Sequence, residues 1–369
     1  MLFRSLAPAA AFVAAALLPS ALAQTACNNS PLLCNRAYNN MTHLGAHDSP
    51  FVRDASTSFT PFGNQYFNST VQLSAGVRLL TAQVHSVNNS GTQEWHLCHS
   101  SCTFLDAGRL SSWLRQIKGW MDANPNEVVT VLLVNSDNAP ATALHSEFVA
   151  SGINTLAYTP ASTTQATTNW PTLQQMITRG TRLVTFVANL PTSQNTVAPY
   201  LLDEFTFVFE NPFSVTDATR FSCDPDRPGA VSGSPAAALS SNRMFLMNHF
   251  LYEDLLLGIQ QPNEKSVEQT NAQSGVGSLG EHLSRCSTVY GRQPTFVIVD
   301  FFNVGPAIAS VDQMNGITTP VSRMAITTQK QTASSSTNRG TSNAANDFGV
   351  SGTALVMAIA AAMALCGQF

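Results

Sequence analysis

The sequence predicts an α/β fold, a single-domain (β/α)₈ barrel of the TIM type. Eight short β-rich runs lie between residues 41 and 302, and helical patterns separate several of them. An open doubly wound sheet is the alternative, but no glycine-rich nucleotide fingerprint follows the first run. No internal repeat and no dividing linker precedes residue 326, which indicates one domain.

The predicted strands are short apolar or alternating runs, and the predicted helices carry apolar residues at helical spacing. The strands cover residues 41–47, 77–85, 95–99, 128–135, 182–188, 205–210, 244–250 and 295–302. The clearest helix covers 106–124, beginning at Asp106 as N-cap and ending at Asn124-Pro125. Its apolar face consists of Leu110, Trp113, Leu114, Ile117, Trp120 and Met121. Shorter helices are predicted at 141–150 and 173–177.

The first 23 residues are predicted to be a secretory signal peptide. Arg4 precedes an apolar run at 6–18, and Ala21-Leu22-Ala23 forms a small-residue cleavage site. A membrane anchor is the alternative, but the run is shorter than the roughly 18–20 residues that a span needs. The barrel domain is therefore predicted to cover residues 24–325.

The other end of the chain matches a glycosylphosphatidylinositol (GPI) attachment signal. Residues 326–343 form a linker rich in Ser, Thr, Asn and Gln, and 344–369 contain an uncharged apolar stretch close to the last residue. Small residues, a short spacer and a terminal apolar tail are typical of a removed GPI propeptide, with a true tail anchor as the alternative. We predict attachment at Asn343, with Ser342 as the next choice.

The seven cysteines become six if Cys366 leaves with the tail, and an even number suits an oxidising compartment. Closeness in sequence favours the disulfides Cys27–Cys34 and Cys98–Cys102, which leaves Cys223–Cys286. The C-x-x-x-C spacing around His99 could instead indicate a metal, but no second cysteine pair lies at zinc spacing. Predicted N-glycosylation acceptors are Asn28, Asn40, Asn68 and Asn88.

Charge excludes one class of partner. Lysine and arginine total 18 against 22 aspartate and glutamate, and the net charge of −4 argues against nucleic acid, which selects basic surfaces. Charged residues make up only 11% of the chain, so cations are scarce. We expect an extracellular monomer that reaches a membrane or wall through its GPI anchor.

Active sites of such barrels lie at the C-terminal ends of the strands, so polar residues that end an apolar strand are candidate site residues. The candidates are His47, Asp48, Thr81, Gln83, His85, His99, Asn135, Glu210, Asn211, Asn248, His249 and Asp300. Two histidines on different strands suit general acid–base catalysis, because one imidazole can accept a proton while the other donates one. A carboxylate behind each ring would fix its tautomer and stabilise its charged form.

Five segments in order resemble motifs of one family. They are 44–49 (LGAHDS), 76–78 (GVR), 97–99 (LCH), 125–129 (PNEVV) and 299–301 (VDF). By these motifs the chain resembles, over roughly residues 35–310, the phosphatidylinositol-specific phospholipase C X-domain superfamily, and within it the secreted fungal-type branch. The first segment is similar to the family's G-T-H-[DN]-S motif and the second to its G-[VIC]-R motif.

The resemblance implies phosphodiester cleavage by internal attack, which yields a cyclic phosphate. His47 would be the base that removes a proton from the hydroxyl neighbouring the phosphate, and Asp300 would be its partner. His99 would protonate the leaving alcohol, with Asp48 as its partner. Substrate contacts are expected from Gln83, His85, Asn135, Glu210 and Asn248, and the substrate would be a phospholipid or glycerophosphodiester with an inositol-type head group.

The chain departs from the family where positive charge is needed beside the phosphate. Family members place either calcium-binding acidic residues or an arginine on strand two, where this chain has Thr81 and Gln83. Arg78 points to the opposite face by strand alternation and is interpreted as structural. His85 is the candidate substitute for the cation. Calcium is the other candidate, with Glu210 as one ligand, but its six to eight oxygen ligands are not evident.

Three other functions compete with a phospholipase C-like hydrolase. A non-catalytic surface or wall protein would keep the barrel as a binding scaffold, which the missing strand-two cation favours. A glycerophosphodiesterase would need an H-R-G start and a P-E-N segment, and neither occurs. A glycosidase would need a second carboxylate spaced recognisably from Glu210, and none is evident.

Overall fold

The computed structural model describes residues 26–191, 195–255 and 258–332. The predicted signal peptide, the attachment residue Asn343 and most of the linker lie outside the described residues. The strands are β1 (His43–Ala46), β2 (Leu79–Asn89), β3 (Thr92–Cys98), β4 (Asp106–Arg109), β5 (Val129–Asn135), β6 (Leu183–Ala188), β7 (Leu201–Asp203), β8 (Val208–Glu210), β9 (Met244–Asn248), β10 (Tyr252–Asp254), β11 (Gln260–Pro262) and β12 (Phe296–Val299). The helices are α1 (Ser69–Ala75), α2 (Leu110–Ala123), α3 (Ala141–Ser151), α4 (Leu173–Arg179), α5 (Glu204–Phe207), α6 (Pro235–Ser240), α7 (Val267–Thr270), α8 (Leu279–Tyr290) and α9 (Ala307–Asn315).

Eight parallel strands form one curled sheet in the order β7-β6-β5-β2-β1-β12-β9-β8. β7 and β8 are the two ends of this order, so the sheet is an open half-barrel of the TIM type. Side chains alternate between its faces: Leu132 packs inside the barrel with Phe186 and Phe296, whereas Val131 and Leu133 pack against the surrounding helices. The α/β barrel prediction is confirmed.

Two predicted barrel elements are corrected by the strand pairing. The third predicted strand exists as β3, but it pairs antiparallel with β2 and β4 and lies off the parallel sheet. Its place among the eight is taken by β7, which was not predicted because three residues carry too little periodicity to be recognised. The sixth predicted strand, 205–210, is helix α5 followed by only three strand residues, β8.

The clearest predicted helix is present but begins later than expected. Residues 106–109 form β4, and α2 begins at Leu110 with Arg109 as an N-cap that makes no side-chain cap bond. Asp106 instead accepts hydrogen bonds from Gly108 N and His96 Nδ1. The apolar face was correctly predicted, since Leu110, Trp113, Leu114, Ile117 and Met121 are buried.

Arg78 is buried directly before β2 and has a structural role, as predicted. Its Nη2 donates to Glu127 Oε2 at 2.6 Å and to Asn29 Oδ1 at 2.6 Å, and its Nη1 donates to two backbone carbonyls. The guanidinium also lies over the Trp120 ring at 5.4 Å. Its donors are therefore engaged far from the strand tips, and the residue has no catalytic position.

All three predicted disulfides, Cys27–Cys34, Cys98–Cys102 and Cys223–Cys286, are present. The predicted glycosylation acceptors differ in accessibility: Asn40, Asn68 and Asn88 are exposed, but Asn28 is only 5% exposed. The Asn28 Oδ1 accepts a hydrogen bond from Val128 N at 2.7 Å. A glycan at Asn28 would have to displace this packing, so the folded barrel disfavours that acceptor. Among the described residues, no helix is both long and apolar enough to cross a membrane.

Two buried histidines make the stability of the fold depend on pH. Nε2 of His43 lies 2.9 Å from the Tyr38 carbonyl, and Nε2 of His249 lies 2.8 Å from the Thr270 carbonyl. Burial lowers the pKa of both His43 and His249 to about 4, whereas an unfolded histidine has a pKa of about 6.5. The unfolded chain therefore binds more protons below about pH 6.5. We expect the free energy of unfolding to fall by about 3 kcal/mol per histidine as the pH drops from about 6.5 to about 4.

Urea denaturation over this pH range measures the effect. His43→Gln keeps a donor for the Tyr38 carbonyl but cannot titrate, so its stability should vary less with pH than that of the wild type. An unchanged pH dependence in this variant would contradict the role of His43.

Candidate active site

His47 and Asp300 meet at the mouth of the barrel. They directly follow the neighbouring strands β1 and β12, and Nδ1 of His47 lies 2.9 Å from Asp300 Oδ1. Asn64 Nδ2 donates to the same carboxylate oxygen at 3.0 Å. The His47 ring stacks on Phe250, with ring centroids 3.7 Å apart and planes tilted by 8°. The carboxylate and the stacked ring fix the orientation of the imidazole, and its Nε2 stays available to a substrate in the cavity.

Asp48 lies between the two candidate catalytic histidines. Its Oδ2 is 3.7 Å from His47 Nε2 and 3.9 Å from His99 Nε2, and it accepts a hydrogen bond from Gln83 Nε2 at 2.7 Å. Its backbone has φ of 48° and is held by a hydrogen bond from Asp48 N to Thr81 Oγ1. The resemblance implied a partnership with His99 alone. The distances instead place Asp48 beside both rings, with Gln83 as its hydrogen-bond partner.

His99 is brought to the site by the hairpin of β2 and β3. β3 runs back antiparallel along β2, with Leu97 opposite Val84, so the residue after the strand returns to the barrel mouth. His99 is buried beside the rings of Phe51 and Phe62. The following residue is fixed by a hydrogen bond from Ser100 N to Gln83 Oε1 at 2.9 Å. Nε2 of His99 is buried and has no hydrogen-bond partner among the described residues.

The pKa values of the two rings are shifted in opposite directions. Burial lowers the pKa of His47, but the negative charges of Asp48 and Asp300 outweigh it, so the net shift is upward. Burial also lowers the pKa of His99, and there it prevails over the attraction of Asp48. These opposite directions favour His47 over His99 as the ring that holds a single proton shared by the pair. Acid–base catalysis needs such a singly protonated pair, although the roles implied by the resemblance put that proton on His99.

One cavity of about 290 Å³ joins the histidines to a second polar group of residues. His47, Asp48, Gln83 and His99 line one part of it, and Glu204, Glu210, Arg227 and Asn248 line another. Phe250, Tyr252 and apolar residues of the strands complete the lining. Of the predicted substrate contacts, Gln83, Glu210 and Asn248 line this cavity.

Two predicted site residues lie elsewhere. His85 belongs to the part of β2 that extends into the hairpin, and its Nδ1 lies 3.4 Å from Asp137 Oδ1. Asn135 is fully buried, and its side chain bonds the backbone of Ala139 and Asn189 in the turn after β5. Neither lines the cavity in the part of the chain that the structure describes. His85 therefore does not lie beside the catalytic histidines in the cavity lining, and Asn135 is a turn residue.

Arg227 and Glu204 are charged cavity residues that the sequence did not indicate, and Arg227 is the cation among them. It lies in the long segment between β8 and α6, where no strand or motif marks it. A β-bridge pairs it with Glu210, and its Nη2 forms an ion pair with Glu210 Oε1 at 2.6 Å. Burial raises the pKa of Glu210, while Arg227 and the hydrogen bond from Asn248 oppose this shift. Burial, together with the charge of Glu210, raises the pKa of Glu204 well above its ordinary value.

These residues do not fit a calcium site. Calcium needs six to eight oxygen ligands, yet Glu210 is already engaged by Arg227 and Asn248. Within residues 26–191, 195–255 and 258–332, the clusters with metal-ligand geometry are formed by disulfide cysteines with His282 or with Asp106, and none of these residues lines the cavity. No step of a mechanism is therefore assigned to calcium.

The fold and the site together define an open parallel α/β barrel with two histidines and two carboxylates at the strand ends. The family model described as PI-PLC X 1 matches residues 33–315. PI-PLC X domain-containing protein 1 of Arthroderma benhamiae is 38% identical over 292 residues, which cover 79% of this chain and 90% of that protein. The chain therefore belongs to the PI-PLC X domain family, as the motifs indicated.

A second relative and two solved structures are also similar to this chain. A protein of Arthroderma benhamiae named uncharacterized secreted protein is 36% identical over 291 residues, covering 78% of this chain and 62% of its own length. The phosphatidylinositol-specific phospholipase C from Listeria monocytogenes matches with a TM-score of 0.52 at 16% identity, covering 79% of this chain and 97% of that one. The F249X mutant of the Staphylococcus aureus enzyme has a TM-score of 0.50 at 12% identity, covering 76% of this chain and 95% of that one. At these identities the structural likeness shows the fold alone.

Proposed function

We propose that this protein is a phospholipase C-like phosphoric diester hydrolase that acts on an inositol-type phosphodiester. The observation that supports this most directly is the convergence of His47 Nε2 and His99 Nε2 on one carboxylate oxygen of Asp48, in a cavity large enough for a phosphorylated ring. Asp300 holds the His47 ring from behind. This is the arrangement that a concerted exchange of two protons requires.

In the proposed reaction, a hydroxyl next to the phosphate attacks phosphorus while the bond from phosphorus to the leaving alcohol breaks. His47 Nε2 takes the proton of the attacking hydroxyl, and Asp300 stabilises the resulting imidazolium. His99 gives its proton to the leaving oxygen. The product is a cyclic phosphate diester, and each histidine ends in the protonation state in which the other began. Glu204, Glu210 and Asn248 supply hydrogen-bonding groups for head-group hydroxyls.

We further propose that the mature protein is extracellular, monomeric and GPI-anchored at Asn343, after loss of residues 1–23 and 344–369. Three disulfides suit an oxidising compartment, and one relative is named a secreted protein. The exposed acceptors Asn40, Asn68 and Asn88 are available for glycans. Mass spectrometry of the protein secreted by a fungal host would identify both processed ends and the glycosylated residues.

A non-catalytic binding scaffold is the second candidate function. It is favoured by β2, which carries Thr81 and Gln83 where family members have a cation or metal-binding carboxylates. The test is hydrolysis of phosphatidylinositol or glycerophosphoinositol by the full chain. Turnover that His99→Ala abolishes would rule out the scaffold, and no turnover of any diester would rule out the hydrolase.

Removing calcium is expected to leave the rate within about twofold of its value with calcium, because Glu210 and Asp48, two carboxylates of the described cavity lining, are already engaged by Arg227, Asn248 and Gln83. The measurement is turnover in a chelator compared with turnover in millimolar calcium. Loss of activity in the chelator, restored by calcium, would show that the reaction needs calcium and contradict this expectation.

A further inference from the structure

The proposed reaction needs a cation beside the phosphate, and β2 does not supply one. Negative charge accumulates on the non-bridging oxygens as phosphorus is attacked, and fixed positive donors lower the barrier. Thr81 binds the backbone of Asp48, and Gln83 binds the Asp48 side chain and Ser100 N. Both strand-two residues are thus engaged within the protein and carry no charge.

Arg227 is the one lysine or arginine among the described residues that line the cavity. Its side chain is 40% exposed, unlike the buried Arg78. The guanidinium carbon lies 4.4 Å from the ring centroid of Phe213 and 5.3 Å from that of Phe205. A guanidinium held between aromatic faces and open to a cavity keeps its charge and a fixed orientation.

The position of Arg227 is fixed before any substrate binds. Glu210 N donates to Arg227 O at 3.0 Å, and Arg227 N donates to Glu210 O at 3.2 Å. The side-chain ion pair engages Nη2, whereas Nε is buried and has no partner among the described residues. A guanidinium carries five N–H donors, so several remain for a ligand. Such preorganised donors are the kind that stabilise a transition state most.

Tyr252 lines the same cavity as Arg227 and His47 and is affected by charges on both sides. Burial raises the pKa of Tyr252, the charges of Asp48 and Asp300 raise it further, and the charge of Arg227 opposes them. The Tyr252 ring in turn packs edge-on against His47, with centroids 6.1 Å apart. One tyrosine thus lies within range of both the catalytic carboxylates and Arg227.

We propose that Arg227 binds the phosphate group of the substrate and replaces the cation that family members carry on strand two. The inference rests on the proposed function, because the anion that Arg227 would bind is the phosphodiester of that reaction. It also fixes the orientation of the substrate, because the phosphate must lie between Arg227 and the two histidines. The head-group hydroxyls are then left to Glu204, Glu210 and Asn248.

Calorimetric binding of two probes, inositol 1-phosphate and uncharged myo-inositol, tests the proposal with the full chain. Arg227→Gln should weaken inositol 1-phosphate binding by about 10- to 100-fold while changing myo-inositol binding less than about threefold. Arg227→Lys should fall between Arg227→Gln and the wild type. Arg220→Gln, an exposed arginine outside the cavity, is the matched control and should bind both probes as the wild type does. Equal loss for both probes, or no binding of inositol 1-phosphate to the wild type, would overturn the proposal.

A double variant separates charge from structure. Arg227→Gln leaves Glu210 buried without its ion-pair partner, so the cavity itself could be disturbed. Glu210→Gln/Arg227→Gln removes that stranded carboxylate and should still bind inositol 1-phosphate poorly. Recovered binding in the double variant would show that Arg227 only neutralises Glu210, and would overturn the proposal.

Turnover distinguishes this inference from the proposed function. Arg227→Ala should lose about 100-fold in kcat/KM and regain part of it when guanidinium ion is added. Undiminished turnover in Arg227→Ala would overturn the role of Arg227 and leave the hydrolase standing. Selective phosphate binding through Arg227 without turnover by the wild type would support the role of Arg227 and contradict the hydrolase.

Discussion

His99→Ala is expected to slow cleavage of phosphatidylinositol by about 10³-fold and cleavage of an aryl inositol phosphate by less than about tenfold. An alkoxide needs a proton as it leaves, whereas a nitrophenolate leaves without one. The selective loss follows if His99 Nε2, which is buried and without a hydrogen-bond partner among the described residues, gives its proton to the leaving oxygen. Steady-state rates with the two substrates measure it.

This comparison also decides which ring holds the catalytic proton. The pKa shifts favour the proton on His47, while the family resemblance makes His99 the acid. If the aryl substrate rescues His47→Ala rather than His99→Ala, the two roles are reversed. His145→Ala is the matched control, because that histidine binds Tyr200 on the outer layer of the barrel. It should react with both substrates at the wild-type rate.

His47→Ala is expected to lose about 10³-fold or more with either substrate, because a better leaving group cannot replace the base that deprotonates the attacking hydroxyl. Asp300→Asn should retain more activity than His47→Ala. In its pH–rate profile, the limb that reflects titration of the base should move to lower pH. The sign follows from the negative charge of Asp300, which raises the pKa of His47; its removal lowers that pKa. An unshifted limb in Asp300→Asn would contradict the pairing of Asp300 with His47.

The strand tips were predictable from sequence, because an apolar run that ends in a polar residue marks the barrel mouth. His47, Asp48, His99 and Asp300 were found in this way, and they lie together in the structure. The direction of β3 was not predictable, since a strand pattern carries no information on whether its neighbour is parallel. His99 reaches the site through a hairpin rather than through a barrel strand.

The second polar group of the cavity was only partly predictable. Glu210 and Asn248 end strands and were found, but Arg227 lies in a loop and enters the cavity through a bridge to Glu210. Long-range pairing of this kind leaves no local periodicity. The role of Gln83 was not predictable either, because it also depends on a long-range contact. The sequence predicts it as a substrate contact, but only the structure shows that its side chain donates a hydrogen bond to Asp48.

Phosphorus NMR of the full chain acting on phosphatidylinositol vesicles tests the central claim most directly. With the wild type and with His145→Ala, the diester signal should be lost and a cyclic inositol phosphate signal should grow. No cyclic product is expected from His47→Ala on the same time scale. A wild-type protein that leaves the diester intact, or a His47→Ala variant that forms the cyclic phosphate as fast as the wild type, would contradict that claim.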